Sequence, residues 1–225
     1  MILYSNLPRL IEHAKASESV LDVGGWHNPF GPATHVIDLG RYETRQVADG
    51  LTRGEAERFS AESWTVHDVC EPPWPFEDDR FDFAICSHLL EDVRDPIAVC
   101  RELARVAKAG YVEVPSRARE IFAKARFFRL RAALGRMPEI GFYHHRWMVE
   151  GEGGHLRFFR KSHQLAMDSD FFITRGELGR KMTEDESGLC LWWDGSFTAE
   201  EVYAVEDEDL RAFKRQALAR LKGGA

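Results

Sequence analysis

Two short apolar runs constrain this chain more than any other feature. Val20-Leu-Asp-Val-Gly-Gly25 and Phe81-Asp-Phe-Ala-Ile-Cys-Ser-His-Leu-Leu-Glu-Asp-Val-Arg-Asp-Pro96 each begin apolar and stop abruptly at glycine or polar residues. Runs this brief and this apolar read as strands buried on both faces, the kind found in parallel sheets covered by helices. Ligands of such sheets bind beyond the carboxyl ends of the strands. The expected architecture is therefore an open α/β sheet whose site lies just after Val23 and Ser87.

The remaining sequence extends this pattern. His35–Leu39, Trp64–Val69 and Tyr111–Val114 read as strands two, three and five. Leu3, Leu7, Leu10, Ile11 and Ala14 recur at helical spacing and predict an amphipathic helix over one sheet face. Asp95-Pro96 is a helix start, with the acid as N-cap and proline in the first turn. Ile97, Cys100, Leu103, Ala104 and Ala107 then share one face, and Gly110 is placed to stop the helix. Between strands one and two, Asn28-Pro29 and Gly31-Pro32 are poor helix residues, so that crossover shrinks to a turn or two. A short helix is expected near Arg53–Ser60. Further on, Gly151–Gly154 predicts a hairpin turn, Leu189–Trp193 a strand, and Asp207–Lys222 a final helix whose acidic first turn and basic last turn suit its dipole.

Asp22 narrows the choice of ligand. A carboxylate two residues before the first glycine repels a pyrophosphate and attracts a cationic amino-acid group. No G-x-G-x-x-G follows strand one, which counts against an NAD-type oxidoreductase or sugar-nucleotide enzyme. Val20–Gly25, Val36–Leu39, His67–Asp68, Pro75-Phe76 with Phe81–Pro96, and Leu103–Pro115 resemble, in order, the successive motifs of class I S-adenosylmethionine-dependent methyltransferases. The resemblance covers roughly residues 18 to 116. It implies a Rossmann-like, seven-stranded, mostly parallel sheet completed by a C-terminal antiparallel hairpin, with S-adenosyl-L-methionine as cofactor. On that resemblance Asp22 lies near the cofactor's amino group, and Gly24 and Gly25 let the backbone pass close to it. Asp38, followed by Leu39, takes the ribose hydroxyls; Asp68 takes the adenine amino group; Val69 offers its amide to the ring; Ser87 flanks the amino-acid part. Trp26 stands where the family has another glycine.

The acceptor side is expected after strand five. A single domain spans 1–225, with 18–116 as its cofactor-binding half and 117–225 as its substrate-side half. Arg117–Arg136 holds seven basic residues against the lone Glu120, interleaved with apolar residues. One reading is a basic lid, with Arg126 and Arg129 binding an anionic acceptor. Another is a solvated amphipathic helix whose arginine stems cover apolar surface, and a third is contact with a membrane surface. His144, with His145, Arg146 and Trp147, reads as a substrate wall or as ordinary loop histidines. His88 and His145 are the candidate bases, His88 serving equally well as a loop contact. No cysteine or acid at ligand spacing accompanies the histidine pair, so no metal site is expected.

Composition excludes other classes. The net charge of −7 and pI near 5.7 disfavour binding to a phosphate backbone. No apolar run approaches the ~18 residues of a membrane span. Cys70, Cys86, Cys100 and Cys190 form no C-x-x-C pair, which reads as reduced thiols in a cytoplasmic protein. The sequence thus predicts methyl transfer to an oxygen or nitrogen of a small, anionic or glycan-type molecule. The alternative is a methyltransferase-like protein that binds cofactor or a partner without catalysis.

Overall fold

The structure is a computed structural model that describes residues 2–45, 55–123, 127–135, 140–161, 165, 169–203 and 207–223. Its centre is a six-stranded sheet of β1 (Val20–Val23), β2 (His35–Asp38), β3 (Trp64–Val66), β4 (Phe83–Ser87), β5 (Ala109–Pro115) and a later strand, Gly188–Asp194. The strand order, starting from that later strand, is Gly188–Asp194, β5, β4, β1, β2, β3. All pairs are parallel except the edge pair, in which Gly188–Asp194 runs antiparallel along the whole of β5.

Alternate residues of the central strands feed two cores. Leu21, Val23, Ala84, Cys86, Val112 and Val114 face one side, where α2 (Pro96–Val106) packs through Val99 and Leu103. Val20, Phe83, Ile85 and Tyr111 face the other, against Leu7, Leu10 and Ala14 of α1 (Leu7–Ala16). Burial on both faces explains why these strands carry no polar alternation. The Asp95 side chain accepts from the Ala98 amide at 2.9 Å, with Pro96 in the first turn. Gly110 does not stop α2: the helix ends at Val106, and Gly110 lies inside β5 beneath the Trp193 ring.

The chain departs from expectation in three further places. The hairpin exists, as β7 (Trp147–Glu152) and β8 (His155–Arg160), with β6 being the two-residue strand Phe122–Ala123. It does not complete the main sheet as a seventh strand. Instead β8 pairs in parallel with Thr198–Val202, forming a separate three-stranded sheet that packs beside α2. Among the described residues, one backbone bridge, Ser116 with Val149, links the hairpin to the end of β5, and Trp147, Val149, Leu156 and Phe158 join the main sheet's core. Residues 55–60 are not helical, and a short turn of helix follows at Ala61–Ser63. Arg117–Arg136 is not one helix either. Arg117–Glu120 and Phe128–Ala133 are short helices separated by Phe122–Ala123, which pairs with Ile173–Thr174. No helix among the described residues is long and apolar enough to cross a membrane.

Candidate functional site

The end of β1 is joined to the start of β2 by turns in place of a helix, so residues 24–34 are shaped by side chains. Gly24 takes φ +83° and donates its amide to the Ile37 carbonyl at 2.9 Å, which turns the chain over the strand ends. A Cβ on Gly25 would lie 2.3 Å from Asp22 Oδ2. The missing side chain lets the Asp22 carboxylate fold back and accept the Phe30 amide at 2.7 Å. Burial pushes the Asp22 carboxyl up to about 7 despite that amide, and the charge of Asp38 adds to the rise.

Asp38 closes the same loop from the next strand. Its Oδ1 accepts the Gly40 amide at 2.6 Å and its Oδ2 the Trp26 amide at 3.1 Å. Burial raises its pKa, and the amides partly oppose the rise. Trp26 lies against Gly40, with its indole N–H donating to Thr44 Oγ1 at 3.0 Å. Leu39, 71% exposed, offers an open apolar side chain next to Asp38.

Asp68 stands after β3 as an Asx-turn residue: Oδ1 accepts the Cys70 amide at 2.9 Å and Oδ2 accepts from Arg94 at 2.7 Å. These donors hold its pKa below the usual carboxylate range. Val69 is buried, and its carbonyl receives the Trp74 indole N–H at 2.9 Å. At the end of β4, the Ser87 hydroxyl is buried without a partner among the described residues.

His88 has a different setting from the one a base requires. It takes φ +54°, and its ring lies between two buried acids, Nδ1 3.2 Å from Glu91 and Nε2 3.4 Å from Glu113. Burial alone would lower its pKa, but the bonds to Glu113 and Glu91 overrule it and raise it to about 9. His88 is therefore an imidazolium at neutral pH and has no lone pair to accept a proton. Glu113 also accepts the Leu3 amide at 3.0 and 3.1 Å and the Tyr111 hydroxyl. Sequence reasoning passed over Glu113, although an acid inside the apolar run Tyr-Val-Glu-Val was the available signal.

Of the basic segment's described residues, Arg117 and Arg119 pack against aromatic rings. Arg117 is buried, bonded to Glu150 at 2.8 Å and stacked on Phe159 and Phe213 at 4.0 and 3.8 Å. Arg119 lies over Phe142 at 4.6 Å. Arg126 is outside the described residues, and Arg129 belongs to the helix Phe128–Ala133. Trp147 is buried and donates its indole N–H to the Val93 carbonyl at 2.9 Å. His145 is buried with Nδ1 2.6 Å from Glu120, whereas His144 is exposed. Burial would raise the Glu120 pKa, but His145 and Lys161 hold it below the usual range.

A cleft of about 1310 Å³ does not lie over the acids of β1 and β2. Arg94, which bonds Asp68, lines it, as do His144 and His145. Arg101, Arg146 and Arg160, which the sequence did not single out as a group, line it too.

A parallel strand edge with three acids, a glycine turn and an orphan hydroxyl at Ser87 fits a nucleoside cofactor with a cationic amino-acid tail. It does not fit a pyrophosphate, because residues 24–34 present no helix N-terminus behind the glycines. The sequence profile described as "Methyltransferase domain" matches residues 2–166. This chain belongs to that family, the class I S-adenosylmethionine-dependent methyltransferases. None of the curated proteins matches it. Similar solved structures include the [4+2]-cyclase SpnF, at 22% identity over 48% of this chain and 45% of that one, TM-score 0.33. The YcgJ protein of Bacillus subtilis shares 22% identity over 60% and 58%, TM-score 0.36. The PH0226 protein of Pyrococcus horikoshii OT3 shares 19% over 65% and 68%, TM-score 0.39. This chain spans 45% and 58% of the lengths of the first two.

Proposed function

We propose that the enzyme transfers a methyl group to an oxygen or nitrogen of a small anionic or glycan-type acceptor held in the cleft beside Arg94. The supporting observation is the cleft's cationic lining, to which Arg94, Arg101, Arg146, Arg160 and Lys161 contribute against Asp95, Glu200 and Glu201. These arginines take the part that the sequence gives to Arg126 and Arg129. S-adenosylmethionine, when bound, supplies a methyl carbon already electrophilic on its sulfonium. The chain's part is positioning. Asp38 holds the ribose, Asp68 and the Val69 amide take the adenine, and Ser87 and Asp22 face the amino-acid end. His144 and His145 line the side of the cleft toward which the acceptor's proton leaves, since His88 is already charged.

Calorimetry tests the cofactor site directly. S-adenosylmethionine and its demethylated product should bind and NAD should not; NAD binding with no response to either sulfur compound sinks the reading. Asp38→Ala should weaken cofactor binding by about 1–3 kcal/mol, and Asp68→Ala by less, because solvent replaces a neutral contact more readily. Parent-like affinity in both folded variants would refute the strand-edge assignment. Asp22 must lose its proton to face an ammonium group, so affinity should rise from about pH 6 to about pH 8 and level off. Asp22→Asn should flatten that rise. Incubation with methyl-labelled cofactor and a panel of phosphorylated, carboxylated and neutral sugars then identifies the acceptor class. Label transfer to neutral members alone would remove the anionic proposal.

A further inference from the structure

The sequence places no acid at ligand spacing from His144 and His145, but the fold supplies one from another segment. Asp92, in the turn after β4, brings a carboxylate oxygen within 4.8 Å of ligand-capable nitrogens of both histidines, and these three atoms all lie within that distance of one another. Three donors each about 2.0–2.2 Å from one ion lie about 3.3–3.8 Å from one another, so the trio shares a cation after closing by on the order of 1 Å.

The juxtaposition is enforced from both sides. The Glu91 carbonyl accepts the amides of Arg146 at 2.7 Å and Trp147 at 3.1 Å, and the Val93 carbonyl accepts the Trp147 indole. Asp92 is thus bracketed by residues stitched to the histidine loop. The loop's other end is seated on Glu120: Gly141 takes φ +51° where a Cβ would fall 2.2 Å from the Glu120 carbonyl oxygen. His145 is also oriented as ligating histidines are. Its Nδ1 faces Glu120 Oε1 at 2.6 Å, and Lys161 holds the other carboxylate oxygen at 2.6 Å. A histidine that donates one ring N–H to a carboxylate presents the lone pair of its other nitrogen, here Nε2, to a metal. The Phe142 ring, stacked on His145 at 4.5 Å, limits its rotation.

We propose that Asp92, His144 and His145 bind a divalent first-row transition ion at the mouth of the cleft. Two imidazoles and one carboxylate suit zinc, cobalt, manganese or iron better than magnesium or calcium, which prefer all-oxygen sets. Three protein donors leave coordination positions open toward the cleft that His144 and His145 line. The role, unlike the binding, rests on the function proposed above. An acceptor oxygen on the ion would be oriented and its hydroxyl made more acidic, with the proton passing to solvent and no redox change.

The test uses the full, tag-free chain stripped of metal and titrated with cobalt(II) chloride alone. One equivalent should bind and give the visible ligand-field spectrum of nitrogen and oxygen coordination. Zinc should displace it, and a large excess of magnesium should not. His144→Ala and Asp92→Asn should each weaken cobalt binding by about tenfold or more while leaving calorimetric affinity for S-adenosylmethionine unchanged. Both lie at exposed or half-exposed positions, so they avoid the folding loss that replacing buried His145 risks. Parent-like cobalt binding in these two variants, no cobalt or zinc binding by the parent, or magnesium binding of equal strength would each overturn the proposal. Cobalt binding without S-adenosylmethionine binding would leave the metal site standing and overturn the cofactor site instead.

Discussion

Glu120→Ala is expected to destabilise the protein by about 3–5 kcal/mol, the cost of removing one partner from a buried charged group. Glu120 is fully buried, and its two oxygens take His145 and Lys161 at 2.6 Å each. Truncation leaves the Lys161 side chain, 12% exposed, with the Phe142 carbonyl as its remaining partner among the described residues. It also frees the loop that carries His144 and His145. For a domain of this size the thermal midpoint should fall by roughly 10 °C. Glu120→Gln, which keeps one acceptor and the shape, should recover part of the loss. A Glu120→Ala protein melting within about 2 °C of the parent would show that the cluster contributes nothing net.

The second large effect is a pH dependence centred on His88. Its folded pKa, about 9, lies above the ordinary histidine value of 6.5. The stabilisation from its bonds to Glu113 and Glu91 is therefore complete below about pH 6.5 and is lost as pH rises through about 9. A separation of that size corresponds to about 3 kcal/mol. Urea midpoints of the parent and His88→Asn, compared between about pH 6 and pH 10, should converge at the alkaline end. Asparagine suits the comparison because it tolerates the positive φ found here. A parent-minus-variant difference that stays constant across the range would remove the imidazolium assignment. Such a difference would instead mark His88 as a packing residue.

The sequence made the central strands readable because both of their faces are buried. Val20–Val23, Phe83–Ser87 and Tyr111–Val114 are mostly apolar for that reason, interrupted only by Asp22, Ser87 and Glu113. Asp95-Pro96 was equally legible, since a cap and a first-turn proline act locally. Long-range pairing was not. Thr198–Val202 lacks alternation, and its partner is the hairpin strand His155–Arg160. The hairpin's exclusion from the main sheet likewise depends on where Gly188–Asp194 docks. Arg117 read as a surface charge because its aromatic partner Phe213 and acid Glu150 are far away in the chain. The same distance hid Asp92 from His144 and His145. Spacing along a chain reveals ligands on one element and says nothing of two loops that meet only after folding.

The helix-free crossover ties two selective pressures together. In residues 24–34, Asp22 and Asp38 hold the chain's shape by accepting the amides of Phe30 and Trp26. The same carboxylates are the groups we propose to face the cofactor. A helix would have carried its own hydrogen-bond ladder and left those acids replaceable. Here drift at either acid damages architecture and affinity at once, so a lineage could lose the reaction without being free to discard the residues that served it.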